Sequence, residues 1–248
     1  MAGLDWLTAR PVAHRGLHDL GNNIVENTAS AFSAAIAGHY AIECDVQISA
    51  DGEAMVHHDD ALGRLTEGST ALAAMNAADI KRAAFKQTAD RIMTLGELCD
   101  LVAGRATLVV EMKSHFGKDM RLPQRVAAVL QNYAGPVAAM SFDPDQVVAL
   151  ATAAPGLPRG IVAERYYDHP EWKGLGRARK FQLAHLLHVF RTRPHFIAYG
   201  VKGLPAFAPL FARLAFGLPL LTWTVRSEDD RKRARRYASQ MIFEGFRP

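Results

Sequence analysis

From Ala41 to Ile48 the apolar residues Ile42, Cys44, Val46 and Ile48 alternate with Glu43, Asp45 and Gln47. This period of two predicts a strand with one apolar and one polar face. The chain turns at Asp51-Gly52 and returns through residues 55–59 as a hairpin. Short apolar runs at 11–14, 107–113, 137–140, 161–163, 196–199, 220–225 and 241–243 predict further strands. Helical signals fall between them. Asn27 or Thr28 caps a helix that stops at Gly38, and Thr94 with Glu97 forms a capping box. Pro123 opens a helix, Asp143-Pro144 caps and starts the next, and residues 172–189 read as a basic helix. Ser227 and Asp230 open the last helix, which runs to Tyr237. Eight short apolar strands alternating with helices predict a buried parallel sheet. The simplest closure is α/β, a single (β/α)8 TIM barrel occupying residues 1–248 as one domain. Residues 61–91 are polar and alanine-rich with one weak helix, 77–84, and form a small insertion after the second strand.

The chain length of 248 residues suits such a barrel, which typically takes ~250. Apolar residues at 49% supply a large core. A net charge of +4 and a pI near 9.2 favour anionic ligands without requiring nucleic acid. Cys44 and Cys99 make neither a disulfide framework nor a zinc site, which fits a reducing, cytoplasmic location. Residues 1–9 lack a basic leader pattern, so no signal peptide is expected. Residues 203–221 are apolar, but Arg213, Pro205, Pro209 and Pro219 argue against a transmembrane segment.

Glu43 and Asp45, two apart on a strand, aim their carboxylates into one volume. Like charges held so close call for a cation, of the magnesium or calcium kind, although a solvated edge strand would carry the same pattern. In a barrel the active residues come from the carboxyl ends of several strands. Those ends offer His14 and Arg15, then Glu43 and Asp45, His58 on the hairpin, Glu111 and Lys113, and Trp223. Cations to hold a phosphate, acids to hold a metal and two imidazoles to move protons together describe phosphodiester cleavage. Removing the metal should leave the acids in mutual repulsion, so neutralising Asp45 should then cost no stability.

Six motifs in order, His14-Arg15-Gly16, Glu26-Asn27-Thr28, Glu43-x-Asp45, Asp51-Gly52, the segment from His58-Asp59 through Leu62 and Arg64 to Thr66, and Glu111-x-Lys113, resemble the glycerophosphodiester phosphodiesterases. The resemblance is dense from Pro11 to Thr66 and touches Ile92-Met93-Thr94-Leu95, Ser141-Phe142 and Trp223-Thr224-Val225. It implies one divalent cation on Glu43, Asp45 and Glu111, with His14 and His58 as the acid/base pair. Arg15 and Lys113 would hold the phosphate, and Trp223 would line the alcohol pocket. The implied reaction is hydrolysis of small-molecule glycerophosphodiesters to sn-glycerol 3-phosphate and an alcohol. The chain departs from the pattern at Arg226, where the family has asparagine, and at 243–248, which replace the closing Thr-Asp-x-Pro.

The alternatives are a lysophospholipase D-like enzyme acting on lipid phosphodiesters and a barrel that binds phosphodiesters without turnover. Intact histidines and acids argue against the second. His57 lies on the strand face opposite His58 and is the competing histidine. The basic run 231–236 reads as a solvated helix face. Phe207, Leu210, Phe211 and Leu214 have the helical spacing of a buried core face, with weak lipid-surface contact as the alternative.

Overall fold

The computed structural model describes residues 3–169 and 172–248, so Met1 and Ala2 of the stretch read for a signal peptide lie outside the described residues. A short helix, α1 (Asp5–Thr8), precedes β1 (Val12–Ala13), α2 (Ala29–Ala37), β2 (Ala41–Ile48) and β3 (Ala54–Val56). Then come α3 (Ala77–Arg82), α4 (Leu95–Val102), β4 (Leu108–Met112), α5 (Arg121–Leu130), β5 (Val137–Ser141), α6 (Pro144–Ala153) and β6 (Arg159–Ala163). The chain ends with α7 (Arg177–Ala184), α8 (Val189–Thr192), β7 (Phe196–Gly200), α9 (Phe207–Phe216), β8 (Leu220–Val225), α10 (Glu228–Tyr237) and β9 (Gln240–Phe243). Val12 pairs with both Ala41 and Ile242, so β1 closes the parallel strands into an eight-stranded barrel. Among the strands of the described residues β3 alone is antiparallel, hairpinned onto the end of β2 through the Asp51-Gly52 turn.

Strand alternation sorts the core into two layers. Ile42, Cys44, Val46 and Val110 face outward into the helices, where they meet Phe32, Leu98 and Val126. Val12, Ala41, Val109, Ala138, Val162, Phe196 and Leu221 face inward and fill the barrel. Leu7 joins this inner cluster, so α1 plugs the amino end of the barrel. At Gly160 any side chain would run into the Phe196 ring, with only 2.4 Å between an added Cβ and that ring. The insertion has a small core of its own, in which Leu62, Leu72, Ile80 and Phe85 pack against Met55 and Ile92.

Two expectations change. The helix expected over 172–189 is broken into α7 and α8, with Leu186 in a left-handed conformation between them. Leu183 packs beside Tyr167 and Trp172 whereas Leu186 packs beside Ile197 and Tyr199, and one straight helix cannot serve both clusters. Most of the apolar stripe of α9 does not face the core either: Phe207 is 82% and Leu214 83% exposed and Phe211 is exposed with them, while Leu210 packs against the core beside the buried Pro209 and Ala212. Among the described residues no helix is long and apolar enough to cross a membrane.

Overpacking at the inner layer is testable. Gly160→Ala should destabilise the protein by about 1–3 kcal/mol, read as a lower urea midpoint, because the buried Phe196 ring has nowhere to move. An unchanged midpoint would show that the inner layer is not close-packed there.

Candidate active site

The inward face that is apolar low in the barrel turns polar at the carboxyl ends. One step beyond Val12, Val109 and Leu221, the same parity places His14, Glu111 and Trp223, and on β2 it places Glu43 and Asp45 above Ala41. These residues line one cavity of about 330 Å³, together with Arg15, His58, Lys113, Phe142 and Glu164. All eight residues expected from the sequence therefore meet in one mouth.

The acids form its floor. Register pairs Asp45 with Glu111 on adjacent strands, and one ligand atom from each of Glu43, Asp45 and Glu111 lies within 4.8 Å of the others. Their environments differ. Burial alone would raise the Asp45 pKa, but Lys113 (2.9 Å) and Arg15 (3.2 Å) outweigh it and hold the carboxyl well below its usual range. Asn27 donates to Asp45 Oδ2 at 2.9 Å and accepts from the Asp45 backbone N–H. Glu43 is pushed well above the carboxylate range by burial and by the charges of Asp45 and Glu111. Its Oε2 accepts from the Arg15 backbone N–H at 2.9 Å, whereas its Oε1 is buried without a partner. Three converging hard oxygen donors, one of them orphaned, fit a divalent cation of the magnesium or calcium kind. Lys113, at 2.8 Å from Glu111, would share two of these carboxylates with it.

Each imidazole is oriented through Nδ1. His14 Nδ1 lies 2.5 Å from Glu244 Oε2, which leaves Nε2 facing the cavity, 4.0 Å from Glu43. Burial pushes His14 down to about 4, against the pull of Glu244. Burial would raise Glu244, but His14, His18 and Arg226 hold its carboxyl well below the usual range; Arg226 reaches Glu244 Oε1 at 2.6 Å. His58 Nδ1 lies 2.7 Å from Asp59, which Arg64 grips through both carboxylate oxygens. Arg64 also reaches Glu26, and Glu26 accepts from Arg15 at 2.8 Å. His57 is buried on the other face and lies outside the cavity. The aromatic side of the mouth is built from Phe142, with Trp223 at 5.4 Å and Trp172 at 4.8 Å.

Asn27, Asp59, Arg64 and Glu244 are the site's supporting residues that periodicity did not single out. The first three lie within motifs already quoted, so a signal was present but without a role. Glu244 had no such signal, because it stands where the expected closing motif is absent.

The sequence profile of the glycerophosphoryl diester phosphodiesterase family matches residues 14–244. The chain belongs to that family. This family member is therefore a phosphoric diester hydrolase. It is 27% identical over 232 residues to a glycerophosphodiester phosphodiesterase of Caldanaerobacter subterraneus subsp. tengcongensis, covering 90% of this chain and 88% of the relative. The phosphodiesterase of Oleispira antarctica, solved with the product sn-glycerol-3-phosphate, superposes with a TM-score of 0.77 at 20% identity, covering 96% of this chain and 94% of the other. The glycerophosphodiester phosphodiesterase of Thermotoga maritima superposes with a TM-score of 0.70 at 22% identity, covering 94% of each chain.

The unequal acids correct the expectation that neutralising Asp45 relieves repulsion. Asp45 is the compensated member and Glu43 the frustrated one. With chelator present, Glu43→Gln should melt no lower than wild type, while Asp45→Asn should melt lower, since Arg15 and Lys113 lose their shared counter-charge. Differential scanning fluorimetry of the two variants checks this, and the reverse order would refute the assignment.

Proposed function

We propose that the chain hydrolyses glycerophosphodiesters to sn-glycerol 3-phosphate and an alcohol, with His14 and His58 as the acid/base pair and a divalent cation on Glu43, Asp45 and Glu111. The observation that carries this reading is the convergence of two carboxylate-oriented imidazoles on one cavity floored by three acids. Arg15 and Lys113 project into the same cavity and attract the phosphate. When bound, the cation supplies positive charge against the phosphate oxygens and the nucleophile. Overall, water's oxygen ends on phosphorus and the bond from phosphorus to the alcohol oxygen breaks. One histidine Nε2 takes the nucleophile's proton and the other gives a proton to the departing oxygen. The carboxylates of Glu244 and Asp59 hold each Nδ1–H and so keep each Nε2 turned to the reacting groups. Trp223, against Phe142, lines the alcohol side. Two unpaired thiols fit a reducing, cytoplasmic setting.

The exposed apolar flank of α9 favours a second reading, in which the phosphodiester belongs to a lysophospholipid. Glycerophosphocholine and lysophosphatidylcholine assayed side by side separate the two, the first being the expected substrate.

Exhaustive chelation followed by gel filtration should abolish turnover, and magnesium, calcium or manganese should restore it. Retained activity would sink the metal assignment. His14→Ala and His58→Ala should each lower kcat on a glycerophosphodiester by about 10²–10⁴-fold. On a p-nitrophenyl phosphodiester, whose leaving group needs little protonation, only the variant lacking the general acid should recover. Equal losses on both substrates would leave the division of labour unsupported. Glu244→Gln should lower kcat by about 10–100-fold with little change in KM, because it loosens His14 without touching the phosphate. Wild-type kcat would remove Glu244 from the mechanism.

A further inference from the structure

Most large apolar side chains left in water lie in one region. Phe181, Leu187, Phe190, Phe207, Phe211, Leu214 and Phe216 are all exposed, and among the described residues the other exposed large apolar side chains are Leu20 and Tyr166. Four of the rings touch in series: Phe207 stacks on Phe211 at 5.5 Å, Phe211 meets Phe216 at 5.8 Å, and Phe216 meets Phe190 of α8 at 6.1 Å. Helix α9 thus sets mostly small residues and Leu210 against the barrel and its phenylalanines outward. An exposed cluster of this kind on a soluble chain marks a surface that something covers.

The charge pattern indicates what covers it. From Trp172 to Ser227 the sequence has no aspartate or glutamate and nine lysines and arginines, so this stretch carries +9 against −5 for the rest of the chain. Lys173, Arg177, Arg191, Arg193 and Lys202 are exposed. Two of these cations have carboxylate partners on neighbouring helices, Arg191 with Asp145 and Lys202 with Asp230. The stretch as a whole remains strongly positive. A second copy of the chain would bring like charges together across a symmetric contact, whereas an anionic bilayer supplies the opposite sign and an apolar interior for the rings.

We propose that the α8–α9 flank docks onto the surface of an anionic phospholipid bilayer, inserting Phe207, Phe211, Leu214 and Phe216 among the acyl chains while the surrounding cations meet the headgroups. The flank adjoins the active site, since Val201, Lys202 and Gly203, just before α9, line the cavity. Docking there holds the mouth close to a membrane without closing it. This surface does not depend on which phosphodiester is cleaved.

The full chain should sediment with vesicles of phosphatidylcholine and phosphatidylglycerol, far less with phosphatidylcholine alone, and less as salt rises. Phe207→Ser combined with Leu214→Ser, and separately Arg177→Glu combined with Arg193→Glu, should each weaken partitioning at least about tenfold. Circular dichroism melting and turnover of a soluble glycerophosphodiester should stay unchanged, since these side chains lie outside the core and the cavity. Lys81→Glu with Arg82→Glu on α3, in the insertion after β2 and across the barrel from β7, should bind vesicles as wild type does. Three results would overturn the proposal: no sedimentation with anionic vesicles, binding that survives both flank variants, or a dimer in solution that the serine pair converts to monomer. The last would make a second copy the occupant.

Discussion

Asp45 is a carboxylate buried on β2 at the floor of the barrel mouth, and its compensation ties the site together. Lys113 from the end of β4, Arg15 from the turn after β1 and Asn27 from the approach to α2 all converge on it. An isolated buried carboxylate is strongly disfavoured, so these partners must be in place for the barrel end to be stable. Two of the segments accept unusual backbone to reach it: Arg15 and Asn27 both adopt positive φ without being glycine. Such conformations persist only where the surroundings hold them. Here the Arg15 N–H is engaged by Glu43 and its carbonyl by the Asn27 N–H.

The same economy of charge runs outward along two chains. One passes from Arg15 through Glu26 and Arg64 to Asp59 and His58. The other passes from Arg226 through Glu244 to His14. Opposite charges alternate along both, so each histidine is oriented by an acid that is itself held by arginine. In the second chain both departures from the family pattern, Arg226 and Glu244, are partners of each other. Changes that look unrelated along the sequence form one ion pair.

The flank of α8 and α9 follows a different logic. Elsewhere the helices present large apolar residues to the barrel, as Leu98 and Val126 do. On α9 the positions facing the barrel hold Pro209, Leu210 and Ala212, and the phenylalanines and Leu214 are turned out. The helix therefore sits on the barrel through mostly small residues and leaves an apolar outer face.

Much of the fold and site was legible in the sequence because strand alternation is a local rule. Period two puts Glu43 and Asp45 on one face and Cys44 on the other whatever surrounds them, and alternating strands and helices restrict the topology to few closures. His14, Glu111, Lys113 and Trp223 were likewise readable as strand ends. Helical spacing, by contrast, shows that Phe207, Phe211 and Leu214 share a face but not which way that face points. That depends on which side of α9 the barrel has room for, and Pro209 and Ala212, with Leu210 alone of the expected stripe, took the contact. The break between α7 and α8 arises from Leu183 and Leu186 being drawn to different clusters. The pairing of His14 with Glu244 joins the two ends of the chain, and the inequality of Glu43 and Asp45 comes from which cations reach each of them. Local geometry is written residue by residue; compensation of buried charge and choice of buried face are properties of neighbours that only the closed barrel brings together.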